Sequence, residues 1–432
     1  MKPIILSLLL CLLIFNVSYV QPQEIKLSNY NIKAAPDKKT GAFKITALCT
    51  VITEGNAADV QFLLSSEASI KKITIRKEKE WIDIPYKING KDSLLLSCAG
   101  LFEDSAKYPV RFEYSMPAGK FNDTMLMLDR GNRWYPLIMD QVASFKLSCE
   151  APKGCAVLSA GNLISKKEGT KEVYIYESKT PVFKIPLLIY NPAKYKKVSN
   201  KIFDLYLLAS NPAEGRELLG KIEKAFCYFS SAIGAYSYER LSIIEIPYFP
   251  GVNTGSGLIM AGMQSIEAAI KGDDDIINLS AALQWFGAGV FAKYGGKGFP
   301  FLTITLPNYL CLMFERSDKG EEFYENELKQ ILEKYKEIAG KENDIPLLDI
   351  SAPNTREKGI ILYAKGPYIL SRIEKIAGAE RWKNILRNLY EKYKGNILTY
   401  EEFEKHLARD EEQESVIPLF RKMMSEKGMP SK

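Results

Sequence analysis

Histidine is nearly absent from this chain of 432 residues: His406 is the only one. A catalytic zinc site built on two imidazoles is therefore excluded, and a serine triad is left with His406 as its sole candidate base. His406 falls on an amphipathic helical pattern over 401–409 and reads as a surface residue. No CxxC pair occurs among the seven cysteines, which removes zinc-ribbon and thioredoxin-type redox sites. After the first twenty residues no apolar run is long enough to cross a bilayer. Long blocks of one charge are missing too. The 58 basic and 52 acidic residues are interspersed, so the net charge of +6 describes a solvated mixed-charge surface rather than a nucleic-acid footprint. The glycine-rich stretches 251–257 and 295–298 lack phosphate-loop spacing, and the latter reads as a turn between two helices.

What remains is an ordinary globular composition, 46% hydrophobic and 25% charged, in a length that suits two or three domains. Lys2 and the apolar run 4–15 suit a secretory signal or an uncleaved N-terminal anchor, so the chain is expected to be exported and to act in the periplasm, outside the cell or anchored facing outward. Six cysteines follow that segment, and an even number in an exported protein permits disulfides. The loop from Cys149 to Cys155 could close on itself, while the pairing among the six stays open.

Residues 24–195 read as strands. β-rich runs at 43–51, 60–64, 70–75, 93–98, 110–114 and 172–176 alternate with Gly, Pro, Asn and Asp punctuation, the pattern of an antiparallel sandwich. A further strand is expected at 201–208. Helical periodicity then takes over at 214–233, 276–294, 299–314, 321–338, 359–377, 379–393 and 400–409, with one strand at 241–247. Asp273-Asp274-Asp275 reads as capping and dipole compensation at a helix start rather than a metal site. Thr399 and Glu402 form a capping box.

Four segments in order carry a resemblance. They are Arg133-Trp134-Tyr135-Pro136 with 145–161 after it, the stretch 233–242, Gln284-Trp285-Phe286-Gly287, and Tyr363-Ala364-Lys365-Gly366. Each is similar to a segment of the M1 family of zinc aminopeptidases, which are gluzincins. The first resembles the family's Trp-Tyr-Pro turn and following β-hairpin, and the second its Phe-Gly-Pro-Tyr-Pro-Tyr-x-Lys-Leu run. The third resembles the residues just past its His-Glu-x-x-His, and the fourth its Tyr-x-Lys-Gly. The stretch 279–287 alone would equally suit the apolar face of an ordinary helix; the other three anchors in register favour the family. The resemblance implies an α+β fold of two domains. An M1-like antiparallel β-sandwich would occupy 24–200 after a signal or anchor at 1–23. A thermolysin-like, mainly helical domain with a small sheet would occupy 201–432, and the family's large C-terminal helical domain would have no counterpart.

The same resemblance implies that the chemistry has been lost. The two histidine positions, four apart on one helix face, hold Leu279 and Leu283, and the third ligand position holds Leu302. Ser280 stands at the general base. The family's exopeptidase loop aligns with 251–255, where Thr254 replaces the glutamate that pairs with a substrate's amino group; the same residues also read as a glycine-rich turn into an edge strand. Tyr363 survives at the family's oxyanion-stabilising phenol, and Lys365 reads as structural. No metal and no cofactor are expected. The expected function is that of an inactive M1-like protein, a pseudo-peptidase that binds a peptide or protein partner or scaffolds a complex. Its cleft would be lined by Asn253, Thr254, Gly255, Ser280 and Tyr363. Partners would not include nucleic acid, nor a membrane except through the N-terminal segment. Two alternatives stay open: an aminopeptidase-related enzyme with altered chemistry, and a purely structural envelope or surface module.

Overall fold

A computed structural model describes residues 25–36, 42–53, 59–98, 101–102, 106–117, 124–167, 171–208, 212–408 and 416–429. The N-terminal segment read as a signal or anchor lies outside them. No helix among the described residues is long and apolar enough to cross a membrane.

The first domain consists of strands. They are β1 (Ile25–Pro36), β2 (Ala42–Thr53), β3 (Asp59–Leu63), β4 (Ser69–Lys77), β5 (Glu80–Asp83), β6 (Tyr86–Ile88) and β7 (Ser93–Ser97), followed by β8 (Lys107–Pro117), β9 (Met125–Leu128), β10 (Ala143–Ala151), β11 (Ala156–Ser159), β12 (Asn162–Lys167), β13 (Glu172–Val182) and β14 (Leu187–Tyr190). Eight form one sheet in the order β12-β13-β10-β1-β2-β8-β4-β5, faced by two three-stranded sheets, β11-β14-β9 and β3-β7-β6. Strict alternation in β2 and β8 turns every second side chain inward, from Phe43 to Val51 and from Tyr108 to Met116. The sandwich core closes around Trp134, whose indole N–H donates to the Ile185 carbonyl at 2.8 Å. Tyr30 and Tyr114 donate to the carbonyls of Pro136 and Trp134 at 2.8 and 2.7 Å, fixing the turn.

Three expectations need correction here. The large sheet is not wholly antiparallel, because β1 runs parallel to β10. Residues 145–161 do not form a hairpin: β10 pairs with β1 and β13, while β11 crosses to the opposite sheet to pair with β14. The Cys149–Cys155 loop does not close, and all six described cysteines are free. The Cys149 side chain points into the sandwich core, where burial pushes its thiol pKa well up.

The second domain opens with a five-stranded sheet, order β15-β16-β17-β19-β18, from β15 (Lys196–Ser199), β16 (Phe203–Leu207), β17 (Leu241–Ile246), β18 (Val252–Gly255) and β19 (Leu258–Gly262). Its helices are α1 (Pro212–Ala232), α2 (Met263–Ile270), α3 (Asp275–Ala282), α4 (Leu306–Lys319), α5 (Glu321–Lys336), α6 (Arg356–Ile360), α7 (Gly366–Ala377), α8 (Ala379–Tyr393), α9 (Tyr400–Leu407) and α10 (Val416–Ser425). The apolar faces of α1, α4, α7 and α8 share one core built around Trp285, Trp382 and Tyr309. The capping box is present: Glu402 N–H donates to the Thr399 hydroxyl, and the Glu402 carboxylate accepts from Thr399 N–H.

Two helix expectations also change. The helix begun at Asp275 ends at Ala282 rather than running to 294, because the backbone folds tightly over Gly287 and Gly289. A Cβ on Gly289 would sit 2.6 Å from the Gln284 carbonyl oxygen. The turn at 295–298 therefore follows a short strand, Phe291–Ala292, and not a helix. Asp274 stands at the start of α3 without a side-chain cap bond; its carboxylate accepts from the Lys221 ammonium at 3.1 Å instead.

Candidate functional site

The third resembling segment sits where the helical core meets β18. Leu283 N–H donates to the Leu279 carbonyl at 2.9 Å, so these positions lie one helical turn apart on one face. Gln284, wholly buried, joins three pieces of chain: its amide donates to the Gly255 carbonyl at 3.0 Å and accepts from Tyr236 at 2.9 Å and from Gly257 N–H at 3.3 Å. Trp285 donates to the Gly234 carbonyl at 2.9 Å, and Tyr238 and Ser256 both donate to the Ala288 carbonyl, at 2.6 and 3.0 Å. These bonds hold the end of α3, the segment 234–238 and the β18–β19 hairpin together. Burial raises the phenol pKa values of Tyr236 and Tyr238, so both rings stay neutral donors.

Leu302 and Tyr363 ride on matching irregularities. Residues Phe301–Thr305 and Ile361–Lys365 are π turns, in which Leu306 and Gly366 N–H reach back five residues to the Phe301 and Ile361 carbonyls. Pro307 and Pro367 stand just beyond, and a wider turn relieves the ring's conflict with the carbonyl four residues earlier. The two turns pack together. Thr305 donates to the Leu362 carbonyl at 2.8 Å, and its methyl would lie 2.4 Å from a Cβ on Gly366. Leu302 is buried and borders a cavity of about 10 Å³ shared with Phe286, Gly287 and Val290. Leu283 also packs on Gly287, its Cδ2 2.7 Å from where a Cβ would stand.

Neither family models nor curated protein sequences match this chain. Solved structures do. Yeast LTA4 hydrolase superimposes with a TM-score of 0.75 at 14% identity, over 95% of this chain and 69% of the hydrolase. The M1 zinc metallopeptidase of Deinococcus radiodurans gives 0.73 at 11% identity, over 95% of both chains. A mutant of the Deinococcus enzyme bound to a Tyr-Ser-Ala substrate gives 0.70 at 11% identity, over 94% of this chain and 96% of the mutant. This chain has the M1 zinc metallopeptidase fold.

At the positions that the resemblance assigns to the zinc ligands, the residues present do not fit a zinc ion. Leu279 and Leu302 are buried, Leu283 is half-buried, and none offers a lone pair. No group of three His, Cys, Asp or Glu side chains among the described residues is arranged to hold a metal. The Ser280 hydroxyl donates to the Ile276 carbonyl at 2.7 Å within its own helix, so it does not face a reacting group as a base would. Asn253, expected in the cleft, instead ties the domains: it accepts from Lys184 and donates to Asp129 at 3.3 Å, both in the sandwich. Gly255 is buried against Lys184. Thr254 is half-buried on β18 with no hydrogen bond to its hydroxyl. Tyr363 is half-buried and packs on the helical core.

Lys365, two residues on, faces a different environment: its ammonium donates to the Glu426 carbonyl and lies 5.3 Å from the Tyr335 ring. Burial lowers its pKa, opposed by nearby Asp344. His406 is half-buried on α9 rather than a surface residue. Gln284 is the site residue that sequence reasoning used only as a landmark; an amide within an otherwise apolar helix end was the available signal.

Proposed function

We propose that this chain is an exported pseudo-peptidase: an M1-fold protein that does not hydrolyse peptides and instead receives an extended segment of a partner polypeptide. The observation that carries the reading is the presence of leucine at all three ligand positions, with the serine at the base position hydrogen-bonded into its own helix. A single replacement could leave a weak metal site, whereas three apolar ones remove every donor. β18 supports binding by strand addition. It is the edge strand of its sheet, paired only with β19. Because Gly262 N–H donates to Gly251, the alternation of the ladder turns the backbone of Val252 and Thr254 toward the open edge. The Deinococcus mutant bound to Tyr-Ser-Ala indicates that a fold of this type accommodates a peptide. Thr254 supplies no negative charge for a free amino terminus, which favours internal segments over chain ends.

The test is metal analysis together with aminoacyl-anilide turnover on the purified full chain. The expected result is sub-stoichiometric zinc and no turnover that a chelator abolishes. Stoichiometric zinc or chelator-sensitive hydrolysis overturns the reading.

A further inference from the structure

Tyr248 is the strained residue of this molecule that no internal contact explains. Among the described residues five non-glycine ones have a left-handed backbone: Glu78, Asp92, Arg133, Asp140 and Tyr248. Four suit their surroundings. Glu78 stands at the hairpin tip between β4 and β5, Asp92 pairs with Arg133, and Asp140 accepts from Tyr294 N–H at 2.6 Å. Tyr248, at φ 59°, is an aromatic residue in a conformation that bulky side chains avoid. It is 96% exposed, and no hydrogen bond, ring contact or ion pair holds it among the described residues. The turn beneath it is fixed. Pro247 and Pro250 flank it, Gly262 N–H donates to Gly251 at 2.8 Å, and a Cβ on Gly262 would lie 2.0 Å from the Phe249 carbonyl oxygen. The fold therefore holds a tyrosine out into solvent at the end of the sheet where β18 begins.

Backbone strain of this kind persists where the displayed side chain serves a contact, and an exposed aromatic ring suits the anchor of an interface. We propose that Tyr248 contacts the docked polypeptide, offering its ring to an apolar or aromatic side chain of an extended segment added to β18. This rests on the strand-addition reading above.

The probe is an array of N-acetylated, C-amidated octapeptides in which Phe, Leu, Pro, Lys or Glu is scanned through an alternating Thr/Ser background. It is read against the wild-type chain and three variants. Wild type and Tyr248→Phe are expected to retain peptides bearing Phe or Leu, and Tyr248→Asn to bind them about tenfold more weakly. Asparagine accepts the left-handed backbone, so Tyr248→Asn is expected to melt no lower than wild type. Thr254→Pro, which removes an edge N–H without touching the ladder to β19, is expected to abolish retention. If Thr254→Pro loses binding while Tyr248→Asn keeps it, the role of Tyr248 is overturned and the strand-addition reading stands. If Tyr248→Asn melts well below wild type, the ring serves the fold and the inference also fails. If wild type retains no peptide, both fail.

Discussion

Two places in the interior of the second domain are filled in opposite ways. At the positions that the resemblance assigns to zinc ligands the side chains are leucines, and Leu302 belongs to the helical core. Around Lys365 the side chains are polar. There Asp344, with no exposure, accepts from Tyr335, from Gly340 N–H at 2.8 Å and from Gly428 N–H at 2.6 Å, while Lys365 donates to Glu426. Tyr363 and Lys365 are two residues apart on roughly opposite faces of one helix, and only Lys365 belongs to the polar cluster. The difference is whether each group kept its partners. A buried donor or acceptor without a partner costs more than its hydrogen bond was worth. Ligand side chains without a metal would be stranded in this way, and leucine avoids that cost. The Lys365 cluster depends only on the chain's own residues, so nothing stranded it.

The sharpest way to break the comparison is Asp344→Ala. It leaves the Gly340 and Gly428 N–H groups without an acceptor and Lys365 without its nearby carboxylate, while the Tyr335 hydroxyl keeps the Gly428 carbonyl at 2.8 Å. A loss of about 4 kcal/mol is expected, measured as the shift in the urea unfolding midpoint against wild type. A loss below about 1 kcal/mol would mean that these bonds are weak or replaced by water, and the contrast would fall.

The reverse change, Leu302→Glu, puts a carboxylate back without its metal. The expected cost is about 3 kcal/mol near neutral pH, from lost apolar burial and a desolvated charge. Burial raises the carboxyl pKa, so the penalty should shrink as the pH falls and the group becomes neutral. Combining it with Leu279→His and Leu283→His sharpens the point. If the M1 geometry persists beneath the leucines, added zinc should raise the melting temperature of the triple variant and leave wild type unchanged. No zinc response in the triple variant would show that the backbone has moved away from a ligand arrangement.

The same contrast sets what the sequence could reveal. Six strand expectations match β2, β3, β4, β7, β8 and β13 to within one residue at the inner ends or lie inside them, in runs rich in apolar side chains between turn residues. β1 lies in the stretch 24–195 read as strands but is not singled out as a run, because its outward positions are Asn and Lys rather than strand formers although its burial alternates. The false helix through 294 followed an apolar run whose period could not report the close packing over Gly289. The leucines at 279, 283 and 302 are singled out by the resemblance and not by any periodicity. The tie from Asn253 to Lys184 and Asp129 was not legible, since it joins residues 69 and 124 positions apart. Nor was α10, which lies past the last resembling segment.

A third polar cluster, nearer the surface, gives the smallest expected effect. Asp204 in β16 accepts from Arg240 at 2.6 and 2.7 Å, from the Ser199 hydroxyl at 2.6 Å and from Lys197 at 2.9 Å. Burial alone would raise its pKa, but the Arg240 and Ser199 hydrogen bonds win and hold it at about 2, below the ordinary 3.8. A carboxyl whose folded pKa is depressed stabilises the fold above its unfolded pKa and loses that contribution as pH falls through the folded one. The window is therefore pH 4 down to about 2. Asp204→Asn should cost about 2 kcal/mol at pH 7 and flatten the acid limb of the stability curve within that window. If the variant follows the wild-type acid limb unchanged, the pairing is too solvated to matter, and full hydrogen bonding protects a buried charge only where water is kept out, as it is around Lys365.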